Sequence, residues 1–215
     1  MSSSLHLSLL ALGWVAYGLT HSLLASTAAK RWFKARFPGY YRTYRLGYNL
    51  LAAILLIPPL WLMISYPGQS LWHWPMPVNW LLNGITLLAV AGVLWTARYY
   101  DISEFLGTHQ LRRQPATVHD QGPMSLSPLH RWVRHPWYFL GLVILWTREM
   151  DAALLTSAVV LTLYLAIGAR LEDNKLVTLY GESYRRYREK VPGLVPLPWR
   201  HLSRQDVVDI LKERH

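Results

Sequence analysis

Three uncharged apolar runs, Leu5 to Ala25, Leu46 to Tyr66 and Val78 to Ala97, hold 21, 21 and 20 residues. A bilayer core is crossed by roughly 20 helical residues, so each run is long enough to span. A soluble bundle would need a polar face on every one of these helices, and uncharged runs of this length have none. A fourth run, Ala152 to Ala169, has 18 uncharged residues, whereas Trp137 to Thr147 offers only 11 before Arg148. The expected fold is an all-α polytopic membrane helix bundle of about five transmembrane helices with a cytoplasmic helical tail. The span beginning at Trp137 is the short one, unless it starts further back near Pro128. Residues 1–98 are expected to form an N-terminal three-helix membrane region. Residues 99–215 are expected to add a loop, a helical hairpin and the tail. The mean hydropathy of only +0.13 conceals these spans because charge is concentrated between them.

The basic residues give an orientation. Lys30, Arg31, Lys34, Arg36, Arg42 and Arg45 separate the first two runs, and no acidic residue lies among them. The segment Pro67 to Pro77 carries no charge. Arg98, Arg112, Arg113, Arg131 and Arg134 follow the third run, and ten more basic residues follow the last one. With alternating spans, 21 of the 22 basic residues fall on one face, leaving only Arg148 on the other. Such asymmetry marks that face as cytoplasmic, with the N-terminus outside and the C-terminus inside, the membrane being the inner one if the host is bacterial. The first run lacks the basic start of a signal peptide and reads as a retained span.

A net charge of +10 suggests nucleic acid only until its distribution is considered. The basic residues flank spans and interleave with Trp32, Tyr40, Tyr41, Tyr44 and Tyr48. Anionic headgroups of the lipid bilayer are the partner this pattern fits, not nucleic acid. The chain has no cysteine, which removes disulfides, thiolate metal sites and a cysteine nucleophile. Gly-rich nucleotide loops and H-E-x-x-H are absent. A metal or haem role for histidines such as His21 and His135 competes with plain interfacial hydrogen bonding, and no metal site is expected.

Outside the runs, Gln114-Pro115 and Gln121-Gly122-Pro123 signal turns in a loop near the membrane surface. Leu171 to Lys190 reads as a helix continuing out of the last span and halted at Val191-Pro192-Gly193. Ser203 is a plausible N-cap for a final helix that sets Val207, Ile210 and Leu211 on one face, the pattern of an interfacial helix. At the polar turn, Arg148, Glu149 and Asp151 would be costly in hydrocarbon, so the turn should reach an interface or be covered by protein.

The chemistry concentrates in Arg131-Trp-Val-Arg-His-Pro-Trp-Tyr-Phe-Leu-Gly141, Arg170-Leu-Glu-Asp-Asn-Lys-Leu176 and Tyr180-Gly-Glu-Ser-Tyr-Arg-Arg-Tyr187. Pro136 suits the first turn of a helix, whose unpaired amides can hold an anionic group. Gly141 allows close approach of a backbone or flat ligand. An antiparallel hairpin would return Glu172 and Asp173 beside Arg134 and His135. The plainer alternative makes Arg134 and Arg170 headgroup anchors with Glu172 and Asp173 as surface partners, and Tyr180, Tyr184 and Tyr187 an interfacial stripe.

The order of these blocks resembles the membrane-embedded methyltransferases typified by isoprenylcysteine carboxyl methyltransferase and the phospholipid methyltransferases. That family carries R-H-P-x-Y-x-x-G, then an acidic pair, then G-x-x-Y-x-x-Y and V-P. Here these are Arg134-His135-Pro136-Trp137-Tyr138 with Gly141, Glu172-Asp173, Gly181 with Tyr184 and Tyr187, and Val191-Pro192. His130 stands where the family usually has Tyr, and Asp173 replaces the second Glu, keeping the charge on a shorter arm. Thr20-His21-Ser22 and Tyr44-Arg45-Leu-Gly-Tyr48-Asn49 resemble the branch containing methanethiol S-methyltransferase and the NnrU proteins.

The resemblance implies S-adenosylmethionine held at the cytoplasmic end of the last two spans, so that residues 99–215 form the cofactor site. His135, Pro136, Tyr138, Gly141, Glu172 and Asp173 would bind it, and Arg170 or Arg134 would orient the acceptor as catalytic residues. A small thiol or lipophilic acceptor is implied, with His21 and Tyr44 at its end. The alternative in the same branch is a non-catalytic membrane protein of the NnrU type serving respiratory or denitrification assembly.

Overall fold

The computed structural model describes residues 3–112 and 124–212. In chain order the helices are α1 (Ser3–Ala25), α2 (Thr27–Arg36), α3 (Tyr44–Ser65), α4 (Met76–Ala97), α5 (Ile102–Leu106), α6 (Thr108–Arg112), α7 (Pro136–Trp146), α8 (Ala152–Tyr180), α9 (Glu182–Lys190) and α10 (Arg204–Lys212). Two short strands, β1 (Ser70–Trp72) and β2 (Met150–Asp151), pair antiparallel. The turn signals at Gln114-Pro115 and Gln121-Gly122-Pro123 lie outside the described residues.

Among the described residues, four helices are long and apolar enough to cross a membrane: Ser3–Ala25, Pro38–Ser65 (the 3-10 turn Pro38–Thr43 running on into α3), Met76–Ala97 and Ala152–Tyr180. The fifth apolar helix, Pro136–Trp146, has 11 residues. At a rise of 1.5 Å per residue it reaches about 16 Å, roughly half the hydrocarbon thickness. It begins at Pro136 and not near Pro128, because Pro128–Arg131 forms a separate 3-10 turn. The 29-residue α8 is longer than the hydrocarbon core requires, and its charged residues lie in its last third, from Arg170 to Lys175.

The chain forms two units. The first comprises residues 1–73, 100–122 and 150–161. Its core joins α1, α3 and the first turns of α8 through Leu10, Trp14 and Ala153. Within these apolar faces the polar atoms are matched: Trp14 Nε1 donates to Ser157 Oγ at 2.8 Å, and His6 lies 3.2 Å from the Leu62 carbonyl. Pro58 and Pro59 sit inside α3, and a side chain at Gly13 would stand 3.6 Å from Pro59. The first amides of α8 are satisfied locally, Ala152 and Ala153 by the Gln69 and Pro67 carbonyls and Leu154 by Asp151 Oδ1.

The second unit comprises residues 74–99, 123–149 and 162–215. Helices α4 and α7 are pinned by Trp137 Nε1 donating to Thr96 Oγ1 at 2.8 Å and by the Thr86 and Thr147 hydroxyls 2.7 Å apart. The polar turn, expected to reach an interface or be covered by protein, is partnered by side chains of α4 while Glu149 stays exposed. Arg148 donates to Asn83 Oδ1 and Thr86 Oγ1, and Asn79 Nδ2 donates to Glu149.

Two expectations for the tail change. The helix read across Leu171 to Lys190 is broken at Gly181, whose φ of 61° closes α8 and lets α9 leave in a new direction. The final helix forms where expected, with Ser203 Oγ accepting from the Asp206 amide at 3.0 Å. Its apolar face is turned to protein and not to lipid, for Ile210 is buried with Tyr184, Tyr187, Val191 and Leu202, and Val207 packs against them.

Candidate functional site

The second unit gathers Arg134 and His135 just before α7, Tyr138 in its first turn, Glu172 and Asp173 on α8, and Tyr184 on α9. Asp173 is the hub. Its carboxylate accepts from Arg134 Nε at 3.1 Å, Arg134 Nη2 at 2.5 Å, His135 Nε2 at 3.0 Å and the Tyr184 hydroxyl at 2.6 Å. Arg134 also donates to the Arg188 and Val191 carbonyls, and the backbone amides of Arg134 and His135 donate to Pro192 and Gly193. Every one of these bonds is internal to the protein. Asp173 and Arg134 therefore fix the shape of the site.

His135 lies between two carboxylates. Its Nε2 meets Asp173, and its Nδ1 is 3.4 Å from Glu172 Oε2. Burial opposes the charge, but the hydrogen bonds to Asp173 and Glu172 and their negative fields outweigh it and raise the pKa to about 9. The ring is thus an imidazolium at neutral pH, donating from both nitrogens. It stacks on Tyr138, with centroids 5.2 Å apart and planes within 10°. Tyr138 in turn donates to Glu172 Oε2 at 2.9 Å.

The two acidic neighbours differ in exposure. The Asp173 side chain is 8% exposed and that of Glu172 38%. Consecutive residues on a helix point about 100° apart, which is why one faces inward while the other stays open beside the stacked rings. Glu172 is the carboxylate a soluble cation can reach.

His130, one turn upstream, is a structural acceptor. Its Nδ1 takes the Ser127 amide at 3.1 Å, and Tyr187 donates to its carbonyl at 2.8 Å. Burial, with the neighbouring His135 charge, depresses its pKa to about 4, so the ring is neutral. Burial and the hydrogen bond to Asp173 push the Tyr184 hydroxyl well above the ordinary tyrosine range, keeping it a donor.

Among the residues expected from the sequence, Pro136 is buried at the start of α7, Gly141 has nothing within 4 Å of where a Cβ would stand, and Arg170 is exposed on α8. His21 and Tyr44 belong to the first unit. His21 Nε2 and the Tyr48 hydroxyl are 2.6 Å apart, while Tyr44 donates to the Leu24 carbonyl at 2.6 Å, serving the last turn of α1.

A protein named methanethiol S-methyltransferase from a Pseudomonas species is 32% identical over 190 residues, covering 84% of this chain and 69% of that relative. Another of that name, from Mycobacterium tuberculosis, is 31% identical over 192 residues, covering 86% and 76%. The chain belongs to the methanethiol S-methyltransferase family. It spans 64% of the length of a further family relative, methanethiol S-methyltransferase 1 of Bradyrhizobium diazoefficiens, at 29% identity. No family model matches, and no solved structure matches.

Family membership implies a methyl donor. Two residues of the polar clusters, Tyr184 and Tyr48, were given no site role by the sequence reading. Tyr184 reads as one rung of an interfacial stripe at helical spacing, and only the break at Gly181 turns it onto Asp173. Tyr48, the partner of His21, carried a signal in its one-turn spacing from Tyr44, since both ends of that pair can reach α1.

Proposed function

We propose that this chain is an integral membrane methyltransferase that transfers a methyl group from S-adenosylmethionine to the sulfur of a small thiol. The observation that carries this reading is Glu172, a half-exposed carboxylate beside the stacked His135–Tyr138 pair. S-adenosylmethionine bears an ammonium, a sulfonium and a ribose diol, all of which an open carboxylate favours, and a flat adenine that suits aromatic neighbours. The residues present fit that group.

Glu172 is proposed to take the ammonium or ribose hydroxyls, with His135, Pro136, Tyr138 and Gly141 lining the cofactor. Asp173 and Arg134 act as positioning residues, because their donors and acceptors are spent on each other and on the tail. Arg170, exposed near the end of α8, is the proposed cationic residue toward an acceptor. His21 and Tyr44 are the proposed acceptor residues, supported by the polar cluster at the end of α1 and the start of α3, where the Tyr48 hydroxyl lies 2.6 Å from His21 Nε2. The proposed orientation puts the N-terminus outside and the C-terminus in the cytoplasm, where the soluble donor is supplied.

When bound, the donor supplies a methyl carbon open to in-line displacement by a thiolate, the C–S bond breaking as its electron pair returns to sulfur. A thiol near pKa 8.5 is only a few per cent ionised at neutral pH, so a nearby cation that favours the thiolate speeds the step. Alignment of the two sulfur centres supplies much of the remaining acceleration.

Titration calorimetry of the purified protein with S-adenosylmethionine tests the reading. Saturable binding that falls at least tenfold in both Glu172→Ala and His135→Ala is expected, together with dimethyl sulfide formed from methanethiol. Binding unchanged by both substitutions would sink it.

A further inference from the structure

We propose that the turn from Val195 to Trp199 is a membrane finger, seated in the anionic headgroups of the leaflet at which α7 begins. The turn hangs between two staples. On one side the Arg134 and His135 amides donate to the Pro192 and Gly193 carbonyls at 2.9 and 3.1 Å. On the other, the Leu202 amide donates to the Arg131 carbonyl at 2.9 Å, and Arg131 Nε donates to the Leu202 carbonyl at 2.9 Å. All four anchors lie within the five residues that precede Pro136, the first residue of an apolar helix. The finger is therefore held at the level where the chain enters hydrocarbon, within the headgroup layer of roughly 5–8 Å on each side of the bilayer core.

The finger is shaped before it meets lipid. Pro196 and Pro198 restrict its backbone, the Arg200 amide donates to the Leu197 carbonyl at 2.9 Å, and His201 stacks on Trp132 with centroids 4.5 Å apart. A turn fixed in this way loses little conformational freedom on insertion. Its tip exposes Trp199 by 75% and Val195 by 61%, far more than large apolar residues need, and no contact within the second unit covers them. Tryptophan is the residue that favours the headgroup layer, where its ring is apolar and its N–H is wet. Arg200 and Arg204 follow the tip, and no acidic residue stands between Gly193 and Arg204, so the charge complements anionic lipid. The consequence is positional: lipid contact at the finger sets the height of the Arg131 to His135 segment, and with it the proposed donor site, at the membrane surface. The finger itself rests only on the chain being a membrane protein, and stands apart from the methyl-transfer reading.

The absence of cysteine makes a clean test possible. Full-length Val195→Cys, labelled with a bimane fluorophore and placed in nanodiscs, is compared with Leu87→Cys on the exposed face of α4 and Glu182→Cys on α9. Brominated phospholipids are expected to quench the labels at 195 and 87 and to leave the label at 182 unquenched. Replacing phosphatidylcholine by phosphatidylglycerol is expected to raise quenching at 195 at least twofold, and Arg200→Gln with Arg204→Gln to remove that gain. A label at 195 as unquenched as that at 182 overturns the proposal, and equal quenching in both lipids overturns its anionic part. Trp199→Cys gives the same readout should Val195→Cys fail to assemble.

Discussion

Arg134 and Asp173 meet in a two-pronged pair, Nε to Oδ1 at 3.1 Å and Nη2 to Oδ2 at 2.5 Å, with only 11% and 8% of their side chains exposed. This geometry matches the fork of a guanidinium to the two oxygens of a carboxylate. Because Arg134 also reaches the Arg188 and Val191 carbonyls, one side chain joins the approach to α7, the C-terminal third of α8 and the end of α9.

Removing Asp173 strands a guanidinium, an imidazolium and a phenol at once. Asp173→Ala is expected to destabilise the protein by about 3–5 kcal/mol, the cost of breaking a buried charge pair by deleting one partner. Glu182→Ala, which removes an exposed pair with Arg185, is expected to cost under about 0.5 kcal/mol. Thermal unfolding in detergent ranks the two, and equal losses would show that the burial of the first pair has no energetic weight.

His135 ties stability to pH. Its folded pKa of about 9 lies above the unfolded value of 6.5. A group raised in this way contributes fully below pH 6.5 and loses its contribution as the pH climbs through about 9. The difference is on the order of 3 kcal/mol at about 1.4 kcal/mol per unit. Melting temperature is expected to fall across that window in the wild type, and His135→Gln is expected to flatten the fall. A parallel decline in both would assign the effect to other groups.

How far the sequence could be read depended on the scale of the interaction. The spans were legible because hydrocarbon thickness imposes one length on every crossing helix, and Leu5 to Ala25 or Val78 to Ala97 can satisfy it only one way. The meeting of Arg134 and His135 with Glu172 and Asp173 was legible too, since a tight hairpin returns its second arm beside the first. The division of labour between the two acids was not, because it turns on which side of α8 faces α9. Gly181 decides that through one backbone angle. The same break carries Ile210 and Val207 onto the Tyr184 and Tyr187 core, so an amphipathic helix that reads as lipid-facing packs on protein.

In the first unit, Gly107 closes α5 with φ of 90°, and a Cβ there would stand 2.7 Å from the Leu46 amide nitrogen. The neighbouring carbonyls are committed as well, Phe105 and Leu106 accepting from Asn49 and Phe105 from Arg45. Gly107→Ala therefore meets both a left-handed backbone and a rigid neighbour. A loss of at least about 1–2 kcal/mol is expected in chemical denaturation. An unchanged midpoint would show that the α5 turn moves off α3 without cost.

Gly141 offers the sharpest separation of stability from function. It lies inside α7, where alanine is favoured over glycine by about 1 kcal/mol, and a Cβ at that position meets nothing within 4 Å. On structural grounds alone, Gly141→Ala should hold or raise the melting temperature. If this face of α7 receives the donor, the added methyl group occupies space the donor needs, and affinity for S-adenosylmethionine should drop at least tenfold. The expected variant is thus as stable as the wild type or more so, yet poorer at binding, a combination that loss of packing cannot produce. Calorimetry and thermal unfolding on the same preparation decide it, and unchanged affinity would remove Gly141 from the proposed site while leaving Glu172 in place.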